Sequence, residues 1–170
     1  MEEMFYTRMD SAIGTIMLVG TSSHLHRVFF PTGRKARPPD PAWRASEAPF
    51  REALRQLREY FSGTRREFQL ALAPQGTPFQ RKVWGELRAI PYGETRSYGE
   101  IARRLGNAGA SRAVGAANGS NPLPIVVPCH RVIGSDGTLT GFGGGLPVKA
   151  ALLKLEGWRG AGRQAELFQD

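Results

Sequence analysis

A four-residue break, Ala73-Pro74-Gln75-Gly76, divides this chain into two stretches of different texture. Proline and glycine so close together end any regular element on either side. Before the break, strand-forming residues come in short pieces: 5–9, 15–19 and 24–30, parted by Gly14 and by the turn Thr21-Ser22-Ser23. Short strands joined by tight turns predict an antiparallel meander. Residues 31–46 carry Pro31, Pro38, Pro39 and Pro41 with Gly33, the composition of an exposed loop. Phe50, Ala53, Leu54, Leu57, Tyr60 and Phe61 then recur at spacings of three and four and predict one helix, with Ser46 as its cap and Gly63 as its stop. Residues 67–73 alternate as a further strand.

After the break the punctuation is that of helices. Thr77, Pro78 and Gln80 form a capping box with proline at the first helical position, and Phe79, Val83, Trp84 and Leu87 make the buried stripe. Pro91 ends that helix and residues 92–96 read as a turn. Ser97 and Glu100 form a second capping box, opening a short helix with Ile101, Ala102 and Leu105 inward. Gly106-Asn107-Ala108-Gly109 separates it from a helix at 110–117 with a small-residue face. Two short helices across a glycine-containing turn form the helix-turn-helix pattern, which an ordinary helical hairpin shares. Residues 119–124 read as a rigid loop, 125–127 as a buried extended piece, 138–145 as a glycine-rich loop, and 147–157 as a final helix.

Composition narrows the classes. A length of 170 residues suits one domain or two small ones. No apolar run approaches the 18 or so residues of a membrane span, and the start, Met1-Glu2-Glu3-Met4-Phe5, lacks the apolar stretch of a secretory signal. A single cysteine forms no internal disulfide and fits a reducing cytoplasm. Twenty-three Lys and Arg against fifteen Asp and Glu leave a net charge of +8, which favours polyanionic partners, nucleic acid first among them.

The chemistry concentrates in Pro128-Cys129-His130-Arg131-Val132-Ile133-Gly134. A thiol becomes nucleophilic near neutrality when a cationic or imidazole neighbour lowers its pKa from about 8.5. An inert buried cysteine is the common alternative, weakened here by the polar residues crowding this one. One Cys and three His (His24, His26, His130) offer no metal-ligand spacing.

This run resembles the active-site signature of the O6-alkylguanine-DNA alkyltransferases, the methylated-DNA–protein-cysteine methyltransferases. The resemblance spans 77–156 and includes Phe79-Gln80, Trp84, Pro91-Tyr92-Gly93-Glu94, Ser97-Tyr98, Ser111-Arg112-Ala113-Val114-Gly115, Asn118-Gly119, Asn121-Pro122 and Gly143-Gly144-Gly145. It implies an α/β (α+β) fold: a small ribonuclease-H-like antiparallel domain at 1–73, a helical winged-helix-like domain at 76–158, and a tail at 159–170. It implies direct-reversal repair, a single-turnover transfer of the alkyl group from O6-alkylguanine, and O4-alkylthymine, in double-stranded DNA to Cys129.

The resemblance also assigns roles. Cys129 is the nucleophile, His130 its base through a water, Glu156 the group orienting the imidazole, and Asn121 the brace of the turn. Tyr98 donates to guanine N3, the carbonyls of Cys129 and Val132 accept from the exocyclic amine, Phe142 packs on the substrate, and the Gly143 N–H reaches O6. Arg112 fills the stack where the base has swung out, and Tyr98, Gly99, Asn107 and Ser135 complete the DNA contacts, on the minor-groove side. Each has a plainer reading: a phosphate contact for Arg112, a core phenol for Tyr98, a surface carboxylate for Glu156, a merely flexible loop for 143–145. No cofactor, metal or membrane is implied, and the expected state is a cytoplasmic monomer, cooperativity on DNA being left open. Phe142 and Gly143 stand where some relatives carry tyrosine and serine, which bears on the bulk of alkyl group accepted. A helix-turn-helix lesion sensor and a cysteine hydrolase are the rival classes.

Overall fold

The computed structural model describes residues 2–33 and 36–160. Strands β1 (Phe5–Ser11), β2 (Gly14–Gly20) and β3 (Leu25–Phe29) form the expected meander. Antiparallel pairing sets Phe5 opposite Gly20 and Ser11 opposite Gly14, then Met17 opposite Phe29, with a bulge at Val19/Gly20. A fourth strand, β4 (Arg44–Ala45), lies in the stretch expected to be loop and runs parallel to β1, so the sheet, in order β3-β2-β1-β4, is mixed rather than antiparallel. The cause is local. Arg44 and Ser46 donate their N–H groups to the carbonyls of Met4 and Tyr6, each at 3.0 Å.

Ser46 is therefore engaged through its backbone and caps nothing. Helix α1 (Arg51–Phe61) is entered through a 3₁₀ turn, Ala48–Phe50, without a side-chain cap. The strand expected at 67–73 shrinks to one parallel bridge, Leu25 with Leu72. A side chain has taken part of its pairing: Gln56 donates to the Gln69 carbonyl at 3.0 Å and accepts from the Gln69 N–H at 2.8 Å. A backbone satisfied from a helix needs no neighbouring strand.

In the second half both capping boxes are present, opening α2 (Pro78–Arg88) and α3 (Tyr98–Arg104). Helices α4 (Ser111–Gly119) and α5 (Leu146–Leu155) follow. α4 packs on both α2 and α3, and the Trp84 indole donates to the Ala117 carbonyl at 2.8 Å. Two short strands not foreseen in the sequence, β5 (Arg96–Ser97) and β6 (Val132–Ile133), pair in parallel. Residues 125–127 are buried as expected but not extended. The Val127 N–H reaches back to the Leu123 carbonyl at 2.8 Å, and Ile125 takes a left-handed φ of 76°. A short apolar run in a core looks the same whether it is straight or turned.

One apolar cluster runs through both halves, joining Ile16, Leu18, Leu54 and Leu57 to Val83, Leu87, Ile101, Val114, Leu152 and Cys129. No helix among the described residues is long and apolar enough to cross a membrane. The expected tail, 159–170, lies outside the described residues from 161 onward.

Candidate active site

Irregular backbone, not a strand, delivers Cys129. Pro128, at φ −79° and ψ 69°, centres an inverse γ-turn closed by the Cys129 N–H on the Val127 carbonyl at 2.8 Å. A 3₁₀ turn, Cys129–Arg131, follows. Such backbone leaves its carbonyls short of partners, and two asparagines supply them. Asn121 donates to the Val127 carbonyl at 2.8 Å and accepts from the Leu123 N–H at 3.0 Å. Asn118 donates to the Cys129 carbonyl at 3.4 Å.

Behind the turn lies a buried polar cluster around Glu156, which caps the C-terminal end of α5. Its Oε2 meets His130 Nε2 at 2.7 Å, and Arg131 grips both oxygens, Nε to Oε1 at 2.7 Å and Nη2 to Oε2 at 2.9 Å. The Tyr60 hydroxyl donates to Oε2 at 2.6 Å, and Arg131 also donates to the Ile90 carbonyl at 2.7 Å. Burial alone would raise the Glu156 carboxyl, but its bonds to His130 and Arg131 outweigh that and hold it down at about 2. Burial lowers the pKa of His130, and the Glu156 bond offsets this only in part. At neutral pH the pair is thus a carboxylate and a neutral imidazole. Because the carboxylate only accepts, the imidazole hydrogen sits on Nε2, and Nδ1 keeps its lone pair. Nδ1 is buried and makes no hydrogen bond among the described residues.

A second buried cation flanks the turn. Lys149, wholly inaccessible on α5, donates to the carbonyls of Val132 and, at 2.8 Å, Thr140. Burial lowers its pKa to about 8, with the charge of Cys129 pulling the other way. Thr140 in turn donates its hydroxyl to the Tyr98 oxygen at 3.3 Å. The parallel pairing of β5 with β6 explains the proximity: Tyr98 follows Ser97 directly, and Ser97 stands opposite Ile133. Lys149, Tyr60 and Asn118 are members of this site to which the sequence assigns no role, and Arg131, read as a cationic neighbour of the thiol, instead grips Glu156. A lone cation inside the apolar run Val148–Leu153 was the available signal for Lys149. The carbonyls expected to read the base are already in use. That of Cys129 accepts from Asn118 and from the Val132 N–H, and that of Val132 from Lys149.

A pocket of about 120 Å³ opens beside Cys129 and takes its walls from both halves: Val28 and Phe30 from the first, Asn118, Asn121, Pro124 and Phe142 from the second. The rings of Phe30 and Phe142 stand 5.3 Å apart. The glycine-rich loop presses its backbone against the first half. A Cβ on Gly144 would lie 2.7 Å from Phe30 Cδ2, and one on Gly33, at φ +95°, would collide with the Gly143 carbonyl.

Of the expected DNA contacts, Tyr98 and Gly99 lie against α4, the helix that carries Arg112. Arg112 is exposed in the first turn of α4, followed by the exposed small residues Ala113 and Ala116. The Tyr98 ring lies over Gly115, and Gly99 faces Ser111. Asn107 is exposed in the α3–α4 connection and Ser135 in the turn after β6. Among the described residues no group of three or more His, Cys, Asp or Glu is placed to hold a metal ion.

A braced, buried cysteine beside a helix-turn-helix defines a thiol-bearing protein with a nucleic-acid-binding flank, and relatives of that class are known. Residues 78–158 match the 6-O-methylguanine DNA methyltransferase DNA-binding domain, and 4–74 match the ribonuclease-like domain of the same group. The chain belongs to the 6-O-methylguanine DNA methyltransferase family. A methylated-DNA–protein-cysteine methyltransferase of Methanosarcina acetivorans is 53% identical over 154 residues, covering 91% of this chain and 99% of its own length. The crystal structure of the Mycobacterium tuberculosis O6-methylguanine methyltransferase is similar at a TM-score of 0.84 and 47% identity, over 98% of this chain and 99% of that one. The Mycobacterium tuberculosis protein crystallised with DNA gives a TM-score of 0.83 at 49% identity, over 89% and 92% of the two chains.

Proposed function

We propose that this protein repairs DNA by direct reversal, moving the alkyl group of O6-alkylguanine, and of O4-alkylthymine, onto the sulfur of Cys129. The observation that carries this reading is a buried thiol lining a small pocket, with a neutral imidazole next to it whose one basic nitrogen is unpartnered. His130 Nδ1 takes the thiol proton through a water, and Glu156, anchored by Arg131 and Tyr60, keeps that nitrogen available. The thiolate attacks the alkyl carbon. A C–S bond forms, the C–O6 bond breaks, and its electron pair stays on the purine. Tyr98, whose oxygen accepts from Thr140, retains its own hydrogen for guanine N3. The product thioether is too poor a leaving group to restore the thiol, so each molecule acts once.

A buried thiol meets O6 only after the nucleotide leaves the stack, at a cost of a few kcal/mol. We assign Arg112 to the gap, because it is exposed at the start of a helix whose adjacent residues are small enough for close approach to the minor groove. Arg112→Ala is expected to slow transfer from duplex DNA about 30- to 100-fold while changing reaction with free O6-benzylguanine about twofold at most. Equal losses on both substrates would remove the wedge.

The remaining roles follow the same pose: Phe142 on the purine face, the Gly143 N–H toward O6, the second lone pair of the Val132 carbonyl toward the amine (the Cys129 carbonyl being already engaged twice), Asn121 as brace, and Gly99, Asn107 and Ser135 toward the DNA backbone. Residues 1–73 and 76–158 act as two units on one core, and the protein acts as a monomer. A thiol that must stay reduced to act suits the cytoplasm. The test is intact-protein mass after mixing with duplex containing O6-methylguanine. A single methyl in place of one hydrogen, mapped to Cys129, is expected. A protein that binds the lesion and stays unshifted would be a sensor, and one that turns over an acyl substrate a hydrolase.

A further inference from the structure

Asn118 sits near the C-terminal end of α4, 4% exposed, and lines the pocket together with Cys129. Its neighbours settle which way its amide points. Only the NH₂ group can serve the Cys129 carbonyl at 3.4 Å, so the other terminal atom is the oxygen. That Oδ1 is buried and has no hydrogen-bond partner among the described residues. An acceptor stripped of water without a donor carries the desolvation cost of a missing hydrogen bond, and native proteins keep such groups few. The other pocket walls combine the apolar faces of Val28, Phe30, Pro124 and Phe142 with polar groups of Arg27, Gln75, Ser120 and Asn121. A pocket with apolar faces and one buried, unserved acceptor has the make-up of a site for an apolar group that ends in a donor.

We propose that Asn118 Oδ1 reads the alkyl group itself, and that the pocket favours O6 substituents carrying a hydroxyl on the carbon next to the one transferred over plain alkyl chains of the same size. The inference rests on the transfer reading above and adds the chemistry of the preferred lesion. Asn118 and Cys129 line the same pocket, so an alkyl group seated there for attack by Sγ shares that space with the Asn118 amide. The reaction is otherwise the same. The thiolate pair makes the C–S bond, the C–O6 pair leaves with the purine, which is then protonated, and the hydroxyl crosses to the protein intact.

The experiment compares single-turnover rates on one duplex sequence carrying O6-(2-hydroxyethyl)guanine, O6-n-propylguanine or O6-methylguanine, for the unmodified protein and for Asn118→Leu. Hydroxyethyl is expected to react faster than propyl in the unmodified protein, and the hydroxyethyl-to-propyl ratio to fall about five- to tenfold in Asn118→Leu, the worth of one neutral hydrogen bond. Taking the ratio within each protein cancels any general loss of activity. If Asn118→Leu does not fold, Asn118→Ala takes its place, and the unmodified protein remains decisive alone: propyl reacting as fast as hydroxyethyl overturns the proposal. Methyl transfer with an unchanged ratio overturns only the role of Asn118, whereas absence of methyl transfer to Cys129 overturns the repair reading and this one together.

Discussion

Cys129→Ser is expected to bind lesion-bearing duplex within about threefold of the unmodified protein and to accept no alkyl group, a loss of at least about 10³-fold in rate. A serine hydroxyl is far more weakly acidic than a thiol, and the neutral His130 has no charge with which to make up the difference. Binding should survive because the surface proposed to meet DNA, exposed Arg112 with the half-buried first residues of α3, lies on helices that do not depend on the sulfur. Fluorescence anisotropy with a labelled duplex, alongside intact mass, reads both properties from one sample. Cys129 is 6% exposed within the main apolar cluster, so a buried hydroxyl there carries a stability cost of about 1–3 kcal/mol. Loss of DNA binding together with transfer would make the cysteine a structural residue.

Glu156→Gln is expected to lower unfolding free energy by about 3–5 kcal/mol, because it strips the counter-charge from a buried arginine. Arg131 keeps only the Ile90 carbonyl as a full partner, and Tyr60 and His130 each face a neutral amide in place of a carboxylate. The same group sets an acid limit. Its folded pKa, about 2, lies below the ordinary 4.5, so its contribution is complete above pH 4.5 and fades as the pH falls toward 2. Urea unfolding at pH 7 and pH 3 should show the gap between the two proteins narrowing at the lower pH. A gap that is equally wide at both would mean that the Glu156 charge contributes nothing to the fold.

What could be read from the chain divides along a physical line. Features written within four residues were legible: the two capping boxes, the stripe of α1, and the strand-forming runs and turns of β1 to β3. Features that depend on a distant partner were not. β4 has two residues and exists because β1 offers a free edge, and the strand expected at 67–73 gave way to the side chain of Gln56. Residues 125–127 are apolar in either geometry, and only the Leu123 carbonyl decides for a turn. The candidate site follows the same rule. Cys129 and His130 announced themselves as neighbours, and family resemblance suggested Glu156, 26 residues from His130. Nothing local marks Tyr60 or Asn118 as companions of the site, since each is defined by an atom it meets across the core.

The bond from Tyr60 to Glu156 spans 96 residues and joins the helix of the first half to the acid of the second. Its consequence is evolutionary. The two halves are not freely exchangeable cassettes: a graft that brought in a foreign first half with phenylalanine on that helix would leave the carboxylate one donor short in a dry interior. Lineages that shuffle these modules must carry this contact with them or rebuild it, so drift in the apparently auxiliary half is disciplined by chemistry done in the other.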